Sequence, residues 1–215
     1  MNDLRYTLLA DGPSDRALIP ILTWLLSELV DIEFAIQSEW ADLRRLPERP
    51  PTLTDRIIRA ADLYQCDLLF VHRDAEREPS IARIQEIQNA LTHANERDFN
   101  LPVVCVVPVR MTEAWLLFDE NAIRRAAGNP NGRTPLRLPS LERLELLPDP
   151  KSELRNLLRE ASELRGRRLR RFEVRTDAPR VSEYIADFSP LRRLPAFTDL
   201  EAELRAAVQQ EGWNA

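Results

Sequence analysis

Hydrophobic residues along this chain follow two rhythms: short continuous apolar runs, and longer stretches with an apolar residue every third or fourth position. Leu4 to Ala10 is a short run closed by the turn cluster Asp11-Gly12-Pro13-Ser14-Asp15, which predicts a first strand ending at Asp11. Leu18, Leu22, Leu25, Leu26 and Leu29 then recur at helical spacing. They predict a helix over 15–30, with Ser14 as N-cap and Pro20 bending its early part. Ile32 to Ile36 alternates apolar and acidic residues, as a half-exposed strand does, and the proline-rich stretch Leu46 to Pro51 is a loop. Ile57, Ile58 and Ala61 share one face of a helix over 53–64. Leu68-Leu69-Phe70-Val71 is apolar on both faces, the mark of a central parallel strand.

Ile81, Ile84, Ile87 and Leu91 define a further amphipathic helix, and Val103 to Val107 a further strand. Beyond Pro108 the pattern is helical: Met111 to Phe118, Asn121 to Ala127 closed by Gly128, then 151–164 and 199–210, with a loop from Asn129 to Pro139. Strand–helix–strand alternation predicts an α/β fold with a mostly parallel, Rossmann-like sheet, helices on both faces, and a ligand crevice at the carboxyl ends of the strands. The whole of 1–215 reads as one domain, a core of about 1–128 followed by a helical extension of about 129–215.

Composition narrows the function. A hydrophobic share of 44% and a charged share of 30% are those of a globular protein. No apolar run approaches the ~20 residues that span a bilayer, so no membrane partner is expected and a cytoplasmic location is. Cys66 and Cys105 lack CxxC neighbours and read as buried free thiols. With a net charge of −5, nucleic-acid binding would need a local basic surface, and Arg165, Arg167, Arg168, Arg170 and Arg171 offer one. The rival account of that cluster is a solvated helical face salt-bridged to nearby glutamates. Lys151 is the only lysine. With no glycine run before it, a P-loop is excluded, and placed in a polar loop far downstream it does not serve receiver-type phosphotransfer either.

The chemistry-bearing residues are acidic. Asp11 and Asp15 follow the first strand, and Asp74 and Glu76 follow the central one. Neighbouring parallel strands would bring all four carboxylates to one edge, where like charges raise one another's pKa or recruit a cation. Spacing i, i+2 lets Asp74 and Glu76 face one metal, and hard oxygen donors favour Mg²⁺ or Mn²⁺. Asp15 and Glu76 have a plainer alternative as helix caps. Glu113, just past the last strand, either joins this edge or pairs with an arginine. His72 lies beside the pocket, orienting a water or phosphate or serving structure, and Trp115, flanked by leucines, reads as core rather than as a base-stacking platform.

The pattern of an apolar strand followed by Asp11-Gly12-Pro13-Ser14-Asp15, then a strand ending in Asp74-x-Glu76, resembles the Toprim fold of primases, topoisomerases and overcoming-lysogenization-defect nucleases. The segment from Val107 to Leu117, with Thr112-Glu113-Ala114-Trp115 at its centre, resembles more narrowly the Toprim-related DUF4276 proteins. The resemblance implies metal-dependent phosphodiester chemistry on nucleic acid, DNA rather than RNA, in a bacterial defence or DNA-processing setting. Carried over by position, Asp11 would take the acid/base role and Asp74 and Glu76 would hold Mg²⁺ or Mn²⁺; beside that resemblance, Asp15 is a further candidate metal ligand, and Glu113 a further metal ligand or catalytic carboxylate. Any ATPase partner would be a separate polypeptide. In Toprim enzymes the acid/base position holds a glutamate, so the shorter Asp11 also fits a non-catalytic regulatory subunit.

Overall fold

The computed structural model describes residues 2–31, 34–75, 78–172 and 178–214. Four strands, β1 (Asn2–Leu9), β2 (Phe34–Trp40), β3 (Leu68–His72) and β4 (Val103–Val106), form an all-parallel sheet in the order β2-β1-β3-β4. Helix α1 (Leu18–Ser27) joins β1 to β2, α2 (Leu53–Leu63) joins β2 to β3, and α3 (Ser80–Asn95) joins β3 to β4. The chain therefore steps outward from β1, returns across it, and continues the other way. Right-handed crossovers then require α1 on one face and α2 and α3 on the other.

The two apolar cores have that division. Leu4, Tyr6, Leu8, Leu68 and Phe70 pack with α1, while Leu9, Leu69 and Val71 pack with Ile57 and Ala60 of α2 and Ile87, Ala90 and Ala94 of α3. Alternate residues of a strand face opposite ways, so one apolar run feeds both cores. Tyr6 ties α1 down. Its hydroxyl donates to the Ile19 carbonyl at 2.9 Å and shares a hydrogen bond with Thr23 at 2.7 Å, and burial pushes its pKa up to about 12.

The chain beyond 128 adds α4 (Glu120–Ala126), which begins just before it, then α5 (Pro150–Ala161), α6 (Gly166–Arg171), α7 (Ala178–Tyr184) and α8 (Pro195–Glu211). These are not an appendage in packing terms. Leu154, Leu157, Phe197, Leu200 and Leu204 share one continuous core with Tyr6 and Phe70. Trp115 is fully buried at its centre, its ring edge-on to Phe197 at 5.4 Å. Helix α8 also covers the edge strand β4: Glu203 accepts the Cys105 N–H at 3.0 Å, occupying a donor that an exposed edge would offer to another chain.

Several expectations shift. The second strand lies at Phe34–Trp40, further along than Ile32 to Ile36, and residues 32 and 33 fall outside the described ones. A 3₁₀ turn, Pro13–Ala17, precedes α1 and is capped by Gly12 rather than Ser14. Pro20 falls in the first turn of α1, where a missing N–H breaks no helical bond. The segment expected to be a helix from Met111 is a 3₁₀ turn, Thr112–Leu116. Cys105 is buried but Cys66 only half so, and both are free thiols. Among the described residues no helix is long and apolar enough to cross a membrane.

Candidate metal centre

In a sheet of order β2-β1-β3-β4 the chain leaves β1 and β3 in opposite directions, which opens a crevice between their carboxyl ends. The chemistry gathers there. Asp15, in the 3₁₀ turn after β1, His72, the last residue of β3, and Asp74, two residues on, bring one donor atom each within 4.8 Å of one another. His72 Nε2 lies 3.4 Å from Asp74 Oδ1 and 3.9 Å from Asp15 Oδ2. A metal bound at about 2.1 Å from each ligand holds adjacent donors about 3 Å apart, so small side-chain rotations bring these three onto one ion. The group could hold a metal ion.

Each donor is oriented by a neighbour. His72 Nδ1 lies 2.9 Å from the Val106 carbonyl, which only accepts, so Nδ1 carries the proton and a neutral ring turns an unprotonated Nε2 toward the carboxylates. Asp74 Oδ1 accepts the Thr112 N–H at 3.1 Å, with the Thr112 hydroxyl at a long 3.5 Å. Asp15 Oδ2 accepts the Gly12 N–H at 2.8 Å and its Oδ1 takes the Ser14 hydroxyl at 3.2 Å. Asp15 therefore caps its turn while its carboxylate also faces the cluster.

Electrostatics record the crowding. Burial raises the pKa of Asp15, the His72 charge and the Gly12 N–H oppose that, and Asp74 adds to it. For His72, burial pulls the pKa down, but the hydrogen bond to Asp74 and the charges of Asp74 and Asp15 outweigh it, so the net shift is upward. The two carboxylates thus favour a positive charge between them.

Glu113 lies in the 3₁₀ turn after β4 and is buried beside this group. Burial lifts its pKa, Lys151 lowers it, and Asp74 and Asp15 raise it further. Among the described residues its cationic partner is not an arginine. Lys151 Nζ stands 3.9 Å from Glu113 Oε1, delivered by the first turn of α5, whose N-cap Asp149 accepts the Ser152 N–H. The expectation that Lys151 sits in a remote polar loop is thus corrected: Pro150 and the Asp149 cap start a helix there, and packing of α5 against the Thr112–Leu116 turn carries it to the site.

Asp11 stands apart from the three donors. Its carboxylate is held by Arg56 and Arg73, each at 2.7 Å, and Arg73 reaches on to Glu86 at 3.0 Å. Glu76 lies outside the described residues. Arg165, Arg167, Arg168, Arg170 and Arg171 lie in and beside α6, all exposed, and none pairs with a carboxylate among the described residues. His72 and Lys151 are the members that pattern alone understated. His72 ends an apolar run as its one polar residue, a signal that was present; for Lys151 the only signal was its uniqueness.

Comparison with protein-family models, curated proteins and solved structures returned no match to this chain.

Proposed function

We propose that the protein is a divalent-metal-dependent phosphodiester hydrolase acting on nucleic acid, of the Toprim-like kind that its motifs resemble. The observation that carries this is the convergence of Asp15, His72 and Asp74 at the crevice between β1 and β3, with Glu113 buried beside them. Asp15, His72 and Asp74 would hold the ion. The imidazole makes the donor set softer than carboxylates alone, which favours Mn²⁺ over Mg²⁺. When bound, such an ion would supply Lewis-acid polarisation of a phosphoryl oxygen and acidification of a water.

The chain's own residues divide the remaining work. Thr112 fixes Asp74 through its N–H, and Val106 fixes the His72 tautomer. Glu113 would be the proton-transfer group: it is buried beside the three donors with Lys151 at 3.9 Å, and burial raises its pKa, the direction general acid/base function at neutral pH calls for. Lys151 offsets the charge of Glu113 once ionised and stands ready to pair with a phosphate oxygen. Asp11, clamped by two arginines, is a poorer acid/base candidate than Glu113. The exposed arginines of α6 supply phosphate contacts.

The test is cleavage of labelled single-stranded and duplex DNA and RNA with Mn²⁺ or Mg²⁺, comparing wild type with Asp74→Ala and Glu113→Gln. Cleavage lost in both variants supports the proposal; cleavage unchanged in Asp74→Ala overturns it. The clamping of Asp11 favours a second function, a regulatory subunit working with a separate ATPase. Metal binding without cleavage of any substrate, alone or with such a partner, would favour that one.

A further inference from the structure

Between the carboxyl ends of β1 and β2, next to the metal group, lies a cleft of about 260 Å³ lined by Asp11, Trp40, Asp42, Arg44, Arg49 and Arg56. Two of its guanidinium groups are already neutralised: Arg44 holds Asp42 at 2.8 Å and Arg56 holds Asp11 at 2.7 Å. Arg49 differs. It is exposed and makes no ion pair with any described residue. Trp40 carries Arg16 and Arg44 over its ring at 5.4 and 5.0 Å, and its indole N–H is buried without an acceptor. Two carboxylates thus answer two of the three arginines in the lining and leave the charge of Arg49 unmatched, beside the flat guanidinium of Arg44 that Trp40 supports, a combination that takes a base by stacking and a phosphate by charge.

Size sets the ligand class. The volume is just below the ~300–1,000 Å³ of ordinary small-molecule sites, more than a lone phosphate fills and far less than a duplex needs. Asp11 links the cleft to the metal group, since one oxygen takes Arg56 from the cleft wall and the other takes Arg73, the residue before Asp74. A phosphate at the metal group and a nucleoside in the cleft would thus be neighbours on one strand.

We propose that this cleft binds one unstacked nucleotide, with Arg49 on its phosphate, and so selects single-stranded nucleic acid or a strand end. The substrate class extends the phosphodiester chemistry proposed above and rests on it; the existence of the cleft site does not. Binding of a 5′-phosphorylated single-stranded oligonucleotide, a blunt duplex of the same sequence, a nucleoside monophosphate and inorganic phosphate is measured by fluorescence or calorimetry without metal. The proteins are wild type, Arg49→Ala, Arg49→Lys and, as a control, Arg143→Ala, an exposed arginine outside both the cleft and α6.

The single strand should bind about ten-fold or more tighter than the blunt duplex, since stacking one base is worth ~1–3 kcal/mol. Arg49→Ala should weaken that binding about ten-fold and Arg49→Lys less, because lysine keeps charge but loses the planar fork. A nucleoside monophosphate that binds detectably assigns the site to any nucleotide, free or at a strand end; if only the oligonucleotide binds, the site belongs to the strand. Equal affinity for strand and duplex, equal affinity for nucleotide and inorganic phosphate, or wild-type affinity in Arg49→Ala overturns the proposal. Mn²⁺ uptake is measured separately on the same proteins. Uptake with wild-type strand affinity in Arg49→Ala sinks the cleft site alone; no uptake in wild type, with strand binding lost in Arg49→Ala, sinks the metal centre alone.

Discussion

Replacing Lys151 with Met removes the cation that pairs with Glu113, a carboxylate whose side chain is 7% exposed. At 3.9 Å the pair attracts by about 4 kcal/mol at an effective dielectric constant of ~20. The Lys151 side chain is 37% exposed, and solvent screening reduces that to about 1–2 kcal/mol. For a chain of this size the melting temperature should fall by about 2–8 °C. Lysine in the first turn of a helix opposes the helix dipole, so Met itself is not penalised there and the loss reports the pairing.

The pH dependence carries the diagnosis. Burial lifts the folded-state pKa of Glu113, so the folded protein keeps that proton more tightly than the unfolded chain does. Ionising Glu113 therefore costs stability as pH rises through its folded value, and Lys151 offsets part of that cost. Below the unfolded value Glu113 is protonated in both states, and Lys151→Met should cost almost nothing. Thermal or urea denaturation at about pH 4 and about pH 8, on the cycle of Lys151→Met, Glu113→Gln and the double variant, measures this. An equal loss at both pH values, or the same loss in the Glu113→Gln background, would refute the reasoning.

Two further outcomes follow from the same geometry. Trp115→Ala, which empties a fully buried site against Phe197, should cost about 3–5 kcal/mol by urea denaturation; a cost below about 1 kcal/mol would mean the indole does not fill the core. Asp11→Asn should release Arg56 and Arg73 but leave Mn²⁺ affinity within about three-fold, and a loss beyond the ~10-fold typical of residues supporting a metal would make Asp11 part of that site.

What pattern made legible was whatever local chemistry dictates. Leu68 to Val71 announces a central strand because both of its faces are buried, and Asp74 at its end follows from the run stopping there. The second strand slipped because Gln37, Ser38 and Glu39 are exposed on an edge strand, leaving only a weak alternation to read. Helix α6 buries no residue, so it lacks the periodic apolar face that marks a helix. The site was half visible. Asp15, Asp74 and Glu113 stand beside strand ends and were found by that position, whereas Lys151 is 38 residues beyond Glu113 and reaches it only through the packing of α5. Asp11 was placed at the right edge, but whether it faces a metal or two arginines depends on where Arg56 and Arg73 point, which no spacing encodes.

The central claim is that Asp15, His72 and Asp74 share one divalent cation. Mn²⁺ titration followed by electron paramagnetic resonance on the purified protein tests it without reference to any substrate. Wild type should take up Mn²⁺ at this site, and Asp74→Ala should lose it while remaining folded by circular dichroism. Wild type that takes up no Mn²⁺, or Asp74→Ala that takes it up equally well, would contradict the account.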